Sequence, residues 1–206
     1  MAIKATGAEL NRLNSKLNAA LGVHKQLKDK LDELIRQYLP ISKENKILRE
    51  RVENQIAAAR SAMSAASALM PSEMLEQALL YPKRRVAVVV SYKDIAGVTA
   101  PEYDFRRIEG GGSLPYGYAM TAGELDDAIL TLDAAVTDML ELARVEKTVQ
   151  LLSVEIKKIN RRVNALEYVT IPELKSNINH IRMKIDENER SDITRLMKAK
   201  ETRGFL

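Results

Sequence analysis

The chain has 206 residues, 46% of them hydrophobic and 29% charged, with a formal net charge of +4. Cysteine is absent, which excludes disulfides, thiolate metal sites and cysteine nucleophiles. Aromatic residues make up 4% and tryptophan is absent, a composition that favours helix seams of Leu, Ile, Val and Ala over a thick globular core. The start, MAIKATGAELNRL, has no apolar signal core, and no run of about 18 apolar residues exists, so we expect neither a secretory signal nor a membrane span.

Apolar residues recur at alternating three- and four-residue steps along the first third of the chain, which places them on one stripe of an α-helix. Thr6, with Glu9 three residues later, predicts the helix start, and Pro71 predicts its end near Met70. Pro40 removes a backbone donor, so a kink or a short break is expected there. The predicted seam positions are Leu10, Leu13, Leu17, Ala20, His24, Leu27, Leu31, Leu34, Tyr38, Ile41, Asn45, Leu48, Val52, Gln55, Ala59, Ala62, Ala66 and Leu69.

A second long helix is predicted from Thr121, its cap with Glu124 at the capping-box position, to about Lys200. Pro172 interrupts this helix, and near it the apolar spacing changes to successive fours, which drifts opposite to a heptad. Two such stripes bury each other as a coiled coil, so the chain is expected to double back as an antiparallel rod. The second seam holds Leu142, Val145, Val149, Leu152, Ile156, Ile159, Val163 and Leu166, followed by Thr170, Leu174 and Ile178.

The middle of the chain changes character. Residues 71–82 predict a short helix that Ser72 caps and Pro82 stops. Val-rich residues 84–92 and residues 101–108 predict a β-hairpin with a turn or bulge at Gly97, and residues 109–120 form a Gly/Pro-rich loop. The predicted fold class is mainly α: a long antiparallel two-helix coiled coil, with the hairpin and short helix inserted at the bend. The predicted domains are 1–70, 71–120 and 121–206.

Charge is unevenly distributed along the chain. Residues 1–60 carry 12 Lys/Arg against 7 Asp/Glu, residues 124–146 carry 1 against 7, and residues 147–206 carry 13 against 8. If the helices double back, the two basic ends lie together and face an electronegative partner; an ordinary solvated surface is the alternative. The basic candidates for partner binding are Lys4, Arg12, Lys16, Arg182, Lys184, Arg190, Arg195, Lys198 and Lys200.

Motifs that carry chemistry are not found. Gly110, Gly111 and Gly112 lack the following Lys of a phosphate loop, and no HExxH pattern occurs. His24 and His180 are isolated, as expected for packed or solvated helix histidines rather than metal ligands or catalytic groups. We therefore predict no catalytic, cofactor-binding or metal-binding residues, and a protein that is not itself an enzyme.

Two further sets of seam and off-seam residues suggest partner binding. The polar seam residues His24, Asn45 and Gln55 weaken the seam but fix its register, or mark where a partner replaces the opposite helix. Apolar residues beside the seam widen the stripe beyond what one helix covers, which predicts a second docking face. This second set is Leu21, Ile35, Leu39, Ile47 and Ile56.

The last third of the chain carries a family resemblance. RRVNALEYVTIP (161–172) and DENERSDITRLMKAK (186–200) closely resemble the last helix of the D subunit of V-type and archaeal-type rotary ATPases. LARVEKTVQLLSVEIKKINRRVNALE (142–167) and AALGVHKQLKDKLDELI (19–35) are similar to the same family, and SYKDIAGVTAPEYDF matches the place of its hairpin. The resemblance covers nearly the whole chain.

The resemblance implies a central rotor shaft that couples ATP hydrolysis or synthesis to H⁺ or Na⁺ transport by rotation. The implied partners are the A and B subunits of the catalytic ring, the F subunit and a funnel-shaped stalk subunit. The implied location is peripheral, on the cytoplasmic face of the membrane. Residues predicted to bind the F or funnel subunit are Val86, Val88, Val90, Tyr92, Arg161 and Arg162, although the hairpin could instead pack on its own helices.

Two other classes of protein remain as alternatives. A prefoldin-like holding chaperone also has two coiled-coil helices joined by hairpins, but its chains are usually shorter. A scaffold, including one that binds nucleic acid, is suggested by the pI of about 9.2. Base-stacking aromatics are scarce and the positive charge lies at the chain ends rather than along a groove, which disfavours nucleic acid.

Overall fold

The computed structural model describes residues 6–80, 84–109, 116–117 and 121–203. Helix α1 (Gly7–Leu69) is followed by helix α2 (Ser72–Leu79), strands β1 (Arg84–Ile95) and β2 (Val98–Glu109), and helix α3 (Gly123–Ala165). A π-helical segment (Leu166–Thr170) then leads directly into helix α4 (Ile171–Arg203). The described part of the chain is therefore mainly α, with one antiparallel hairpin and one short helix, which confirms the predicted fold class. In the described part of the chain no helix is long and apolar enough to cross a membrane.

The chain divides into two compact units. Unit 1 comprises Met1–Asp32 with Ile156–Leu206, and unit 2 comprises Glu33–Glu155. Each unit therefore combines a stretch of α1 with a stretch from the second half of the chain.

Unit 1 is built on an antiparallel helix pair. Leu13 of α1 packs with Ile178 and Ile181 of α4 in one buried cluster, and these three side chains are at most 6% exposed. Eleven residues further along α1, His24 lies beside Glu167, which precedes those isoleucines in sequence. Contacts that advance along one helix while they retreat along the other define antiparallel packing.

Unit 2 shows the same arrangement between α1 and α3. Arg49 forms an ion pair with Glu146, and the Gln55 amide donates a 2.9 Å hydrogen bond to Asp138. The predicted role of Gln55 in fixing register agrees with this contact. Where α1, α2 and α3 meet, Ala66, Met70, Ala78 and Leu125 form a second buried cluster, which we call the junction cluster.

Helix α1 begins as predicted. The Glu9 N–H donates to the Thr6 hydroxyl at 3.4 Å, and the Leu10 N–H donates to the Thr6 carbonyl at 3.0 Å. The predicted possibility of a break at Pro40 is wrong, because α1 continues through that residue. Pro40 and Arg36 are both exposed, so water can satisfy the Arg36 carbonyl that loses its intrahelical partner.

The predicted seam of α1 is buried or half-buried except at its last position. Leu69 is 64% exposed, whereas the next residue, Met70, is only 8% exposed. The helix ends at Leu69, and the chain then turns so that Met70 enters the junction cluster. The periodic pattern could not show this one-residue change, because it holds only while the chain remains helical.

Two predicted helix caps are wrong. Pro71, not Ser72, occupies the N-cap of α2, where the fixed φ of proline suits the helix start. Helix α3 begins at Gly123, after Ala122, and the Thr121 hydroxyl donates to the Gly117 carbonyl at 3.4 Å. The Ala122 N–H contacts the Met70 sulfur at 3.4 Å, which ties the start of α3 to the junction cluster. The predicted stop at Pro82 lies outside the described residues.

The predicted interruption at Pro172 takes the form of the π-helical segment. The Ile171 N–H donates to the Leu166 carbonyl, and the Thr170 hydroxyl donates to the Ala165 carbonyl at 3.3 Å, so both bonds span five residues. This wider turn immediately precedes Pro172, whose ring would clash with a carbonyl in a regular α-helix. The inserted residue also moves the seam: Ile171 is 8% exposed, whereas the predicted Thr170 is half-buried.

The predicted hairpin is present and longer than expected. Strands β1 and β2 pair antiparallel from Arg84 opposite Glu109 to Ile95 opposite Val98. Ala96 and Gly97 form a two-residue turn with φ values of 52° and 81°, which is typical of type I′. The Gly97 N–H donates a 2.8 Å hydrogen bond to the Asp94 carboxylate, which stabilises the turn.

Candidate partner-binding surfaces

The basic residues predicted to bind a partner are exposed on α1 and α4 of unit 1. Lys4 lies outside the described residues, and the other eight side chains are all exposed. Arg12 pairs with Glu9 at 3.3 Å, and Arg195 approaches Asp192 at 3.7 Å. Both contacts join residues three apart on one helix and stay in water, where such pairs stabilise a helix by a few tenths of a kcal/mol. The cationic groups therefore remain accessible.

The fold brings together only part of this basic set. Arg12 precedes Leu13 and Arg182 follows Ile181, so both arginines flank the buried cluster of unit 1. Ile185 is the last α4 residue that packs against this cluster. The basic residues beyond it, Arg190, Arg195, Lys198 and Lys200, continue along a part of α4 in which every described side chain is exposed.

An apolar stripe on this exposed part of α4 was not predicted. Ile193, Leu196 and Met197 are 52%, 70% and 63% exposed. Their spacing of three and four residues places them on one helix face, which is the pattern of an unpartnered helix seam. The same spacing rule that found the earlier seams could have identified this stripe.

The outer part of the hairpin presents one apolar face. Side chains directly opposite in an antiparallel pair share a face, and successive residues alternate between faces. Val88 lies opposite Phe105, Val90 opposite Tyr103 and Tyr92 opposite Pro101, so these residues share the same face as Val86. The rings of Tyr103 and Phe105 meet edge to face, with centroids 6.3 Å apart. The four predicted side chains are 37–72% exposed, so this face remains largely uncovered.

The turn end of the hairpin, in contrast, packs within unit 2. Ala100 is 2% exposed and Pro101 is buried. Residues 93–96 and 100–102 line a cleft of about 380 Å³ together with Gln37 and Ile41 of α1 and Arg144 and Thr148 of α3. The hydrogen bond to Glu141 raises the pKa of Arg144, and the charges of Glu44 and Glu102 raise it further. The predicted alternative in which the hairpin packs on its own helices thus applies to its turn end, and binding of a partner by the outer face stays a prediction.

The remaining predicted site residues, Arg161 and Arg162, lie on α3 in unit 1. Both side chains are exposed, and the next residue, Val163, is only 5% exposed. They stand on the solvent side of the helix, as expected of cations beside a buried seam. The hairpin residues grouped with them in the sequence prediction belong to unit 2.

A polar groove lies beside Asn45 in unit 2. It has a volume of about 530 Å³ and includes Arg49 from α1 together with Glu146, Lys147 and Gln150 from α3. The Asn45 amide nitrogen is buried without a hydrogen-bond partner in the described structure. The hydrogen bond to Glu146 raises the pKa of Arg49, so this cation stays charged next to the groove. Of the apolar residues predicted as a second docking face, Leu21, Ile35, Leu39 and Ile47 are 42%, 38%, 54% and 60% exposed, whereas Ile56 is half-buried.

The described side chains do not gather into a metal-binding cluster. Across residues 6–80, 84–109 and 121–203, no group of three or more His, Asp or Glu side chains could hold a metal ion. Of the two histidines, His24 is half-buried in the seam and His180 is exposed.

Comparison with known proteins identifies the family. The family model for the D subunit of ATP synthase matches residues 9–201. The chain belongs to the ATP synthase D subunit family. It is 50% identical over 203 residues to the V-type ATP synthase D subunit of Acetivibrio thermocellus, covering 98% of this chain and 91% of that relative. It is 47% identical over 201 residues to the subunits of the same name from Clostridium novyi and Clostridium botulinum, covering 96% of this chain and 93% of each relative.

Membership of the D subunit family confirms the resemblance found in the sequence. It also gives the surfaces described above a context, because a subunit of a V-type ATP synthase works as part of a larger complex. The exposed apolar side chains on α4, α1 and the hairpin are then candidate contacts with other subunits.

Proposed function

We propose that this chain is the central rotor shaft of a V-type ATP synthase. It would couple ATP hydrolysis or synthesis in a ring of A and B subunits to transport of H⁺ or Na⁺ through the membrane ring. The observation that carries the proposal is antiparallel helix pairing in both units of a member of the D subunit family. Unit 1 pairs Leu13 with Ile178 and Ile181, and unit 2 pairs Arg49 with Glu146.

A shaft must resist twisting while it contacts different subunits in turn. Paired helices with buried seams supply resistance, because a twist would expose side chains such as Leu34 and Leu152, both 0% exposed. The chain itself would carry no catalytic group or cofactor, and its work would be transmission of torque. As part of the complex, it would be peripheral, on the cytoplasmic face of the membrane.

Single-molecule rotation tests this proposal directly. The chain has no native cysteine, so a Thr99→Cys variant carries one label site, on an exposed hairpin residue. The complex is held to a surface through its catalytic ring, and a bead is attached to Cys at position 99. We expect ATP-driven rotation of the bead, whereas a bead on a ring subunit stays still. A static bead on a complex that hydrolyses ATP would refute the shaft role.

The catalytic ring would contact the chain through the basic side chains of unit 1 and the apolar stripe of α4. Exposed charge pairs are each worth about 0–1 kcal/mol, which suits a bearing that must release at every step. Replacing Arg190, Arg195, Lys198 and Lys200 with Gln should change the ratio of transported ions to ATP hydrolysed while the helix content is retained. Replacing four exposed lysines of α1, Lys25, Lys28, Lys43 and Lys46, is the matched control. If both variants transport the same number of ions per ATP hydrolysed, the proposed contact between these basic side chains and the catalytic ring is contradicted.

The apolar face of the hairpin would bind the F subunit or the funnel-shaped stalk subunit, with Arg161 and Arg162 as further contacts. Val90 and Val89 provide a matched test, because they have the same side chain, are both 49% exposed and point to opposite faces. We expect Val90→Asp to weaken binding of one of these subunits and Val89→Asp to leave it unchanged. Equal binding of both subunits by wild type and Val90→Asp would exclude this face as their site.

A further inference from the structure

The seam that α3 and α4 present in unit 1 follows a heptad with one residue too many. Buried or half-buried apolar side chains recur in steps of three and four residues up to Leu166, and the next one, Ile171, comes five residues later. Beyond Ile171 the steps of three and four resume. A heptad has four residues where this chain has five, so one residue of the π-helical segment is surplus to the repeat. The seam positions are Ile156, Ile159, Val163, Leu166, Ile171, Leu174, Ile178, Ile181 and Ile185.

The surplus residue, rather than the proline beside it, accounts for the π-helical segment. Pro40 lies inside α1, and the α-helix continues through it. A proline alone therefore does not force a wider turn in this chain. With five residues in the turn, the Ile171 N–H reaches the Leu166 carbonyl, and both of these side chains stay on the seam. The wider turn thus keeps the apolar residues before and after it on the same side of the helix.

The π-helical segment is weakly packed between two firmly packed stretches. None of its five side chains is buried, whereas Val163 just before it and Ile171 just after it are 5% and 8% exposed. Across from the segment, α1 presents a polar side chain, His24, whose Nε2 lies 3.5 Å from Glu167. That buried nitrogen has no hydrogen-bond partner in the described structure. A turn with few buried apolar contacts opens more readily than well-packed neighbours.

We propose that the π-helical segment (Leu166–Thr170) is a twist joint, a place where the helix pair of unit 1 twists more easily than in the turns on either side. A π turn holds more residues than an α turn, so exchange between the two hydrogen-bond patterns rotates the helix that follows. The segment contributes no buried side chain, so this exchange takes none out of the core. Resting on the proposed shaft function, the joint stores part of each rotary step as elastic twist.

Removing the surplus residue tests the joint. Val169 is 61% exposed, and its deletion leaves Leu166 and Ile171 four residues apart, which makes the heptad continuous. Because Pro172 would then lie inside a regular α-helix, the deletion is combined with Pro172→Ala, and Pro172→Ala alone is the matched control. A second control combines Pro172→Ala with deletion of Ser191, an exposed residue of α4 beyond the seam.

Hydrogen exchange of the full chain measures local opening without any assumption about rotation. In wild type and Pro172→Ala, we expect amides of residues 167–171 to be about tenfold or more less protected than those of residues 156–163 and 174–181. Deletion of Val169 should remove this difference, and deletion of Ser191 should keep it.

Three exchange results would overturn the twist joint. The first is protection of residues 167–171 equal to that of their neighbours in wild type. The second is unchanged protection of these amides when Val169 is deleted. The third is loss of helix content on that deletion, measured by circular dichroism, because a chain with a continuous heptad should fold at least as well.

The bead on the Thr99→Cys complex supplies the functional measurement. With the catalytic ring fixed and no ATP added, the angular fluctuation of the bead reports how easily the chain twists. We expect the variance of the bead angle to be smaller in the Val169 deletion than in Pro172→Ala alone, and unchanged by deletion of Ser191.

The proposed shaft function fails separately. If the bead does not rotate when ATP is added, the shaft role is refuted, and hydrogen exchange still decides whether the segment opens. If the bead rotates and its angular variance is the same with and without Val169, only the twist joint is refuted.

Discussion

His24 of α1 faces Glu167 of the π-helical segment, with the imidazole Nε2 3.5 Å from the carboxylate Oε2. The two residues differ in environment, since the His24 side chain is 19% exposed and that of Glu167 is 48% exposed. At this distance the buried Nε2 atom has no hydrogen-bond partner in the described structure. A polar group in the seam thus lies next to the π-helical turn, which departs from regular α geometry.

Replacing His24 with Leu should stabilise unit 1. A buried polar group without a hydrogen bond costs about 1–3 kcal/mol, and a leucine would fill the seam position without that cost. We expect the free energy of unfolding in urea, measured in alkaline buffer, to rise by about 1 kcal/mol. His180→Leu is the control, because His180 is exposed and its replacement should change stability by less than about 0.5 kcal/mol. A loss of stability in His24→Leu would show that the approach to Glu167 is itself stabilising.

Among the side chains of α1, truncation of Leu34 should lower the free energy of unfolding the most. It is 0% exposed, so truncation to Ala removes buried methyl groups and leaves a cavity. We expect Leu34→Ala to lower the free energy of unfolding by about 2–5 kcal/mol. Leu39→Ala, five residues along the same helix and 54% exposed, should change it by less than about 0.5 kcal/mol. Similar values for the two variants, from urea denaturation followed by circular dichroism, would contradict the burial of Leu34.

The hairpin turn carries strain at Ala96. Its φ of 52° lies in the left-handed region, which costs a residue with a Cβ about 1–2 kcal/mol relative to glycine. Ala96→Gly should therefore protect the amides of β1 and β2 from hydrogen exchange and stabilise unit 2 by on the order of 1 kcal/mol. Ala87→Gly, inside β1, should have the opposite effect. It should speed hydrogen exchange of the strand amides and lower the stability of unit 2, because glycine weakens a strand. Faster exchange in Ala96→Gly would argue against the left-handed turn.

The stability that Glu33 contributes should depend on pH. The hydrogen bond from Gln37, at 2.9 Å, lowers the pKa of Glu33 below its ordinary value of 4.5, and the charge of Arg36 acts in the same direction. A carboxyl whose pKa is lower in the folded state adds stability above its unfolded pKa and loses it as the pH falls through the folded value. Gln37→Ala should therefore raise the pKa of Glu33 in an NMR titration and destabilise the protein at neutral pH more than in acid. Gln26→Ala, at an exposed position elsewhere on α1, should leave the pKa of Glu33 unchanged.

Several local features could be predicted from the sequence. The seam positions of α1 from Leu10 to Ala66, the Thr6 cap and both strands depend on spacing or on adjacent residues, and the structure confirms them. The starts of α2 and α3 could not be predicted in the same way. Their positions depend on Met70 entering the junction cluster, a contact between residues far apart in the chain.

The basic candidate surface could be predicted from the sequence, whereas the exposed apolar stripe of α4 could not, because its exposure depends on which distant segments cover it. Charged residues such as Arg182 and Arg195 are almost always exposed, so their accessibility follows from residue type. The apolar stripe of Ile193, Leu196 and Met197 has the same spacing as a buried seam. Only the structure shows that no other described segment covers it, because spacing defines a helix face but not what lies against it.

By itself the sequence determined the helices, the hairpin and the family, because helical periodicity, turn chemistry and characteristic blocks such as RRVNALE are written in consecutive residues. Only the tertiary structure decided that the hairpin packs at its turn and is exposed along its Val86–Tyr92 face, and that Leu69, next to Met70, remains in water. The physical reason is that burial depends on which distant segments meet. Residues of the same type and spacing can therefore form a core in one place and a partner surface in another.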